Sequence, residues 1–432
     1  MALKSTNLTK YLTRYAEPEA ALVTAARRYV FAVVVPVCGE SHDLIEGWRD
    51  MCDHMPVGQR VLFVVVMNSD AHTSDEYRRA NDVLLERWSR GGTRLTGSEC
   101  PVWLVEFPAY DVLLIDRHSP GWQLPIKAGV GLARKIGGDV VAAWFAAGAI
   151  ESPWWLSTDA DVRLPAQLHA MWSSLPSLPG VGLLPFEHVA GDEREVDVAT
   201  LGVELDLRYH VLGLAYAGST YAWPALGSCI VVHVETYVAL RGFPKRQAGE
   251  DFYLLEKASK LAPIISLAGE PIRIVARRSS RTPFGTGRAV DELLRSGDVE
   301  AGLSLRHPAC YEWLKALLVN VRGCLEQGTI VYLQEWLRHA ERTAPFVVEA
   351  VVRTRLEPEL SRLCVNIEQV HLRRARANEW FDGLRQIQFL KVLERTLGCI
   401  PYRRALSGAP FVGEAARATD IASAVAHLRE IS

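Results

Sequence analysis

Two aspartates separated by one residue, Asp159 and Asp161, follow an apolar run that begins at Pro153. We predict that this run is a buried strand with the aspartates at its carboxyl end. Side chains two residues apart on an extended backbone point to the same side, so we expect the two carboxylates to lie together. A hard divalent cation that also binds phosphate oxygens would relieve the repulsion between them. The alternative is an ordinary turn after a strand, because aspartate is a good turn former.

A second pair of carboxylates, Glu250 and Asp251, stands at the start of a predicted helix. The helix dipole favours anionic groups at this end. A simple helix cap is the commoner meaning of such a pair. Farther along, the segment 277–288 combines four arginines with Ser, Thr and Gly. It suits the recognition of phosphate or carboxylate by Arg278, Arg281 and Thr286, with a solvated surface loop as the alternative.

Glycines and basic residues mark the segment that precedes the aspartates. A glycine-bearing loop that includes Gly129 leads into a predicted helix that carries Lys127, Arg134 and Lys135, and a helix start with positive groups suits a phosphate. Gly129 and Gly131 form part of a dinucleotide fingerprint, but the third small residue is missing and we predict no preceding strand. A nicotinamide site is therefore a poor interpretation. For Lys135, a solvated helix face is an equally good one.

Continuous runs of β-branched residues at 29–37, 60–67 and 102–107 alternate with polar, helix-like segments. Such runs are typical of strands covered on both faces, and the alternation predicts an α/β fold with a mostly parallel, mixed, doubly wound sheet flanked by helices. Ligands of such sheets bind at the carboxyl ends of the strands. Here those ends are 39–40, 68–70 and 159–161.

Composition and the remaining segments indicate the domain organisation and the class of protein. We expect a helical lead-in over 1–28, an α/β domain over 29–295 and a mostly helical C-terminal extension over 296–432. Net charge is −2, with 48 basic and 50 acidic residues, which gives no reason to expect a nucleic-acid partner. The eight cysteines are scattered without a C-x-x-C pair, which favours reduced thiols in a cytoplasmic protein. We expect neither a signal peptide nor a transmembrane segment, and peripheral membrane contact stays open.

Taken in order, four segments resemble the family 2-type glycosyltransferases with the GT-A fold. They are 35–40 at the end of the first strand, 129–134, 158–161, and 241–243 leading to 249–251. The resemblance covers about residues 29–290. It implies transfer of a sugar from a nucleotide-diphosphate sugar donor to a hydroxyl acceptor, with Mn²⁺ or Mg²⁺ held by Asp159 and Asp161. The identity of the acceptor and a homo-oligomeric state are left open.

The resemblance also implies roles for single residues. Asp251, or less favourably Glu250, would be the base that takes the acceptor proton. His233 and His307 are candidates for a third metal ligand. The residues implied in binding the nucleotide, ribose or phosphates of the donor are Pro36, Gly39, Glu40, Asn68, Lys127, Gly129, Arg134, Asp159 and Asp161. The sequence departs from the family where Gly39 stands in place of an asparagine.

Two other functions compete with this interpretation. A sugar-phosphate nucleotidyltransferase would use a related sheet, but such enzymes usually carry a glycine-rich basic loop directly after the first strand, and residues 38–41 lack it. A non-catalytic nucleotide-binding scaffold of the same fold is the second alternative. The intact carboxylates at 159, 161, 250 and 251 argue against it.

Overall fold

The computed structural model describes residues 2–25, 27–40, 42–278 and 285–432. The chain divides into two compact units, each made from two segments. The first contains Met1–Asp192 and Ala225–Arg288, and the second contains Glu193–Pro224 and Ala289–Ser432. Residues 193–224 therefore belong with the helical C-terminal part, although the strands on either side of them belong to the first unit.

The described residues form fourteen strands and eighteen α-helices. The strands are β1 Phe31–Val37, β2 Val61–Asn68, β3 Thr93–Arg94, β4 Val102–Glu106, β5 Tyr110–Arg117, β6 Trp154–Ser157, β7 Val162–Arg163, β8 Val181–Leu183, β9 Phe186–Val189, β10 Ile230–His233, β11 Ile265–Ser266, β12 Ile272–Val275, β13 Ser304–Arg306 and β14 Cys399–Pro401. The helices are α1 Ala2–Arg14, α2 Glu46–Asp53, α3 Asp75–Gly91, α4 Gly129–Ala146, α5 Leu168–Trp172, α6 Arg194–Ala217, α7 Val234–Leu240, α8 Glu250–Ser259, α9 Thr286–Leu294, α10 Val299–Gly302, α11 Ala309–Gln327, α12 Val331–Thr343, α13 Pro345–Thr354, α14 Leu356–Asn366, α15 Val370–Trp380, α16 Gly383–Leu397, α17 Tyr402–Gly408 and α18 Ile421–Ile431.

A nine-stranded mixed sheet forms the centre of the first unit, in the order β11-β8-β10-β6-β1-β2-β5-β4-β3. The four strands β6, β1, β2 and β5 are parallel to one another, whereas β10 and β4 run antiparallel on either side of them. β1 and β2 are buried along their whole length, as strands covered on both faces must be. The predicted α/β fold with a mixed sheet, flanking helices and a helical extension is confirmed.

The prediction that residues 102–107 form the third parallel strand is wrong. That run is β4, which forms an antiparallel hairpin with β5, and β5 takes the place beside β2. We did not predict β5, because two acidic residues, Asp111 and Asp116, interrupt its apolar pattern. Asp111 is fully buried, but it forms an ion pair with Arg60 and accepts a hydrogen bond from Tyr29 Oη at 2.9 Å. A buried carboxylate is tolerated in a strand when it is paired in this way.

The long helix α4 lies against β1. A Cβ on Gly137 would come within 2.4 Å of Val34 Cγ1, so the glycine allows the helix backbone to approach the sheet. Two residues earlier, Lys135 is buried and donates from Nζ to Asp139 at 2.7 Å. The alternative of a solvated Lys135 is therefore wrong. Tyr11 of α1 also donates to Asp139, which ties the N-terminal helix to α4.

A three-stranded sheet, β7-β12-β9, places the chain after β12 close to the aspartates. β7 begins directly after Asp161 and pairs antiparallel with β12. The amide of Val275 donates to the carbonyl oxygen of Asp161 at 3.1 Å. The residues that follow β12 are thereby brought next to Asp161.

The second unit is built mainly from α6 and α10–α18. Its helices share one apolar core that includes Leu205, Tyr311 and Phe389. A buried carboxylate on α6, Glu204, accepts from Arg208 Nε at 2.7 Å and from Arg429 Nη2 of α18 at 2.7 Å. Among the described residues of both units, no helix has the length and apolar character needed to cross a bilayer.

Candidate active site

The carboxyl ends of β6, β1 and β2 lie side by side in the sheet. The chain runs from β1 through β2 to β5 in one direction and then returns to add β6 on the other side of β1. A reversal of this kind opens a crevice beyond the strand ends, where α/β proteins bind their ligands. Residues that follow these strands are therefore the first candidates for a functional site.

Arg134 of α4 is the centre of a buried polar cluster at this edge. Its Nε donates to Glu250 Oε1 at 2.9 Å, and its Nη2 donates to Asp159 Oδ1 at 2.5 Å. Its Nη1 donates to Ser157 Oγ at 2.8 Å and to the carbonyl oxygen of Thr158 at 3.0 Å. One guanidinium thus joins the end of β6 to the start of α8.

Glycines make room for this arrangement. A Cβ on Gly227 would lie 2.4 Å from Arg134 Nη2, so the guanidinium packs directly on a glycine backbone. A Cβ on Gly131 would lie 2.2 Å from the carbonyl oxygen of Pro244, and one on Gly129 would lie 2.5 Å from Gln247 Cα. Gly129 and Gly131 therefore serve the close approach of α4 to residues 244–247, a role that their sequence pattern did not indicate.

The charge of Arg134 is held by its two carboxylate partners. Burial alone would lower the pKa of the guanidinium, but Asp159 and Glu250 outweigh burial and raise that pKa above its ordinary value. The side chains of Arg134 and Glu250 are only 3% and 5% exposed, whereas that of Asp159 is 37% exposed. Asp159 is consequently the member of the cluster that a ligand can reach.

The second aspartate has a different arginine. Arg277, two residues after β12, donates from Nε to Asp161 Oδ2 at 2.7 Å and from Nη2 to Glu40 Oε1 at 2.9 Å. Glu40 follows β1, so this contact joins the ends of β1 and β12. The strand β6 ends at Ser157, two residues before Asp159, and Ala160 and Asp161 lie in a turn. The premise of one extended backbone carrying both aspartates is therefore wrong.

A divalent cation can be tested against these donors. Two carboxylates offer the hard oxygen ligands that Mg²⁺ and Mn²⁺ take, and such ions usually complete their shell with water and substrate phosphates. Only Oδ1 of Asp159 bonds to Arg134, and the side chain is partly exposed. Within the part of the chain that the structure describes, no group of three or more His, Cys, Asp or Glu side chains could hold a metal. The pair fits a metal that arrives with a phosphate-bearing ligand.

The helix α8 carries Glu250 and Asp251 in its first turn. Glu250 is buried against Arg134, while Asp251 is half-buried and accepts from the Phe252 amide at 2.7 Å through Oδ1. Burial first, and then the neighbouring carboxylate of Glu250, raise the pKa of Asp251 to about 7. A carboxylate with such a pKa is suited to accept a proton near neutral pH.

Asn68 and Gly39 are linked through Asn81 of α3. The Gly39 amide donates to Asn81 Oδ1 at 2.8 Å, and Asn81 Nδ2 donates to the carbonyl oxygen of Asn68 at 3.0 Å. Asn68 Nδ2 in turn donates to the carbonyl oxygen of Val37 at 3.0 Å. Gly39 has φ +70°, and a Cβ there would lie 2.4 Å from the ring of Tyr77. Both the left-handed backbone and the close approach of Tyr77 therefore favour glycine at position 39.

We expect Gly39→Ala to lower the free energy of unfolding by about 2–4 kcal/mol, from the left-handed backbone and the overlap with Tyr77 together. Urea denaturation would measure the change. Gly58→Ala is the matched control, because Gly58 has φ +82° with no atom within 4 Å of its Cβ position. Gly58→Ala should lower the free energy of unfolding only by the cost of the left-handed backbone, about 1–2 kcal/mol. Equal losses would show that Tyr77 does not restrict position 39.

The other predicted residues are not joined to the cluster by the contacts described above. Pro36 is buried within β1, Lys127 is exposed before α4, Arg278 is exposed, and Thr286 is half-buried at the first residue of α9. Arg281 lies outside the described residues. Of the two histidine candidates, His233 caps α7 through its Nδ1, which accepts from the Glu235 amide. His307 Nδ1 accepts from the amide of Ala309, the first residue of α11. His233 also pairs with Trp154, at the end of β6 opposite Asp159.

Sequence reasoning missed three contributors: Ser157, Asn81 and the specific place of Arg277. Ser157 could have been noticed as a polar residue ending an apolar run, and Arg277 as an arginine just after a strand. Asn81 gave no signal, because a single asparagine in a polar helix is ordinary. The contacts of all three residues depend on which strand ends lie beside each other in the sheets.

No model of a known protein family matches the chain, and no curated protein matches it. Among solved structures, the chain is similar to residues 1–349 of S. aureus TarS in complex with UDP-GlcNAc, with 15% identity, 87% of this chain and 91% of that chain covered, and a TM-score of 0.33. It is also similar to the mannosyltransferase PcManGT from Pyrobaculum calidifontis in complex with GDP-Man and Mn²⁺, with 16% identity, 91% and 95% covered, and a TM-score of 0.32. Similarity at this level does not by itself assign a function to this chain.

Proposed function

We propose that this chain is a glycosyltransferase that moves a sugar from a nucleotide-diphosphate sugar to a hydroxyl acceptor. The observation that carries the proposal is the Arg134 cluster. It joins a partly exposed aspartate at the switch point of the sheet to a helix start that bears a carboxylate with a pKa of about 7. The cluster thereby connects an anchor for the donor to the helix that carries a base for the acceptor.

The proposed reaction uses the two ends of this cluster differently. Asp251 takes the proton of the acceptor hydroxyl as its oxygen bonds to the anomeric carbon of the donor. The bond from that carbon to the diphosphate oxygen breaks, and the nucleoside diphosphate leaves with the electron pair. Glu250 acts as a positioning residue, because its Oε1 accepts from Arg134 in the buried part of the site. Positioning of the reactants supplies much of the rate enhancement in such a step.

The proposed donor site lies at the ends of β1, β2 and β6, beside Gly39, Glu40, Asp159 and Asp161. Asp159 and Asp161 would hold Mn²⁺ or Mg²⁺ together with the diphosphate. Such an ion stabilises the charge that develops on the departing diphosphate. The exposed Lys127 is within the segment proposed to face the nucleotide or its phosphates.

A calorimetric titration of UDP, GDP and related nucleotides, with and without Mn²⁺, tests the proposal. We expect at least one nucleoside diphosphate to bind with an affinity that increases when Mn²⁺ is present. Asp159→Asn should weaken this binding, whereas the exposed Asp53→Asn should leave it unchanged. Failure of every diphosphate to bind in a metal-dependent manner would contradict the proposal.

The pKa of Asp251 predicts how the transfer rate depends on pH. A carboxyl with a pKa of about 7 is protonated below that pH and cannot accept a proton, so we expect kcat/KM to rise as pH rises and to level off above about 7. Glu250→Gln removes the neighbouring negative charge and should move the rise to lower pH. A profile that is flat from pH 5 to 8 would show that no group with a pKa of about 7 accepts the proton.

A further inference from the structure

Arg277 bonds to a carboxylate oxygen of Asp161, one of the two aspartates proposed to hold a divalent cation. Its guanidinium lies between Asp161, at 2.7 Å, and Glu40, at 2.9 Å. The two carboxylates thus share a cation that the chain itself supplies. The contact joins residues that follow β1, β6 and β12, so it is a property of the fold and not of one segment.

A Mg²⁺ ion bound to Asp161 would lie about 2.0–2.1 Å from a carboxylate oxygen. The guanidinium nitrogen already bonds to the same carboxylate, so the two positive charges would lie within a few ångströms of each other. Their repulsion, and the loss of one good hydrogen bond, oppose simultaneous binding. The metal and Arg277 are therefore alternative partners of Asp161.

The two arginines of the site differ in how readily they can move. Arg134 is 3% exposed and donates to four acceptors, which fixes it in place. Arg277 is 29% exposed and bonds to two carboxylates, the buried Glu40 and the 20% exposed Asp161. A diphosphate is a good bidentate partner for a guanidinium, so an arriving donor can draw Arg277 away from the more exposed Asp161.

We propose that Arg277 competes with the divalent cation for Asp161 and gives this carboxylate up when a nucleoside diphosphate binds. This inference rests on the proposed function for the identity of the ligand. It deepens that function by making the metal site open only in the presence of the diphosphate. Without the donor, Arg277 already compensates part of the negative charge of Glu40 and Asp161.

Binding of Mn²⁺ to the nucleotide-free protein, measured by electron paramagnetic resonance of the free ion, tests the competition. We expect Arg277→Gln to bind Mn²⁺ about tenfold or more tightly than the unmodified protein, a typical size for coupling between two ligands. Arg277→Lys keeps a positive charge and should retain the weak affinity. Arg273→Gln is the matched control, because Arg273 lies on the same strand, β12, and pairs with the separate carboxylate of Glu187.

Two outcomes would overturn the inference. One is equal Mn²⁺ affinity of the unmodified protein and Arg277→Gln, including no measurable binding by either, once circular dichroism has shown both to be folded. The other is an equal gain in Arg277→Gln and Arg273→Gln. If no nucleoside diphosphate binds to any variant, the proposed function fails, while the comparison of Mn²⁺ affinities without nucleotide still decides the competition. If one does bind, it should strengthen Mn²⁺ binding more in the unmodified protein than in Arg277→Gln.

Discussion

Replacing Arg134 with methionine should lower the free energy of unfolding by about 3–5 kcal/mol, the usual cost of removing one partner of a buried ion pair. The loss arises mainly because Glu250 keeps its negative charge in a buried position without a partner. Ser157 Oγ and the carbonyl oxygen of Thr158 also lose their donor. Denaturation by urea, followed by circular dichroism, would measure the change.

The exposed pair of Arg90 and Glu86 is a suitable control for this substitution. Both side chains are largely exposed and lie one turn apart on α3, so Arg90→Met should change stability by only about 0.5 kcal/mol or less. Adding Glu250→Gln to Arg134→Met should recover part of the loss, because the buried charge is removed. A loss of the same small size at positions 134 and 90 would mean that the Arg134 cluster does not stabilise the fold.

Asp251→Asn is expected to lower kcat for sugar transfer by about 10²–10⁴-fold, the range that a positioned general base contributes. Asparagine has nearly the same shape but cannot accept the acceptor proton. The affinity for the nucleoside diphosphate should change little, since the proposed donor contacts come from other residues. Initial rates with a saturating donor, together with calorimetric affinities, separate the two effects.

Glu250→Gln provides the comparison at the adjacent position. Glutamine can still accept the hydrogen bond from Arg134 Nε, so kcat at pH 8 should fall much less than in Asp251→Asn. If Asp251→Asn loses donor binding and transfer together, Asp251 has a structural role and not a catalytic one. If Glu250→Gln has the larger effect on kcat, the roles of the two carboxylates must be exchanged.

Apolar patterning predicted the centre of the sheet well, because β1, β2 and β6 are continuous buried runs. It failed at β5, where Asp111 and Asp116 interrupt the run. The failure has a physical cause: Asp111 is acceptable in the core only because Arg60 and Tyr29 reach it from other parts of the fold. A pattern that counts charges cannot include partners that are about 50 to 80 residues away.

The candidate site could likewise be predicted from the sequence only in part. Strand ends are visible in the sequence, so Glu40, Asn68 and Asp159 could be named as neighbours at one edge of the sheet. The partners of the charged residues could not be identified from the sequence. Arg134 resembles a phosphate ligand on a basic helix, yet it is buried against two carboxylates. Arg277 looks like one of several loop arginines until β12 is known to pair with β7.

The sequence by itself determined the fold class, the edge of the sheet where polar residues gather and the two pairs of carboxylates that a sugar transfer would need. Those properties depend on local periodicity and on residue type, which any stretch of chain carries with it. Only the tertiary structure shows that Asp159 and Asp161 form ion pairs with different arginines. It also shows that Gly129 and Gly131 allow close packing, and that residues 193–224 belong with the C-terminal helices. Each of these depends on which distant segments meet, because the charge of a buried group is settled by its neighbours in space and not by those in sequence.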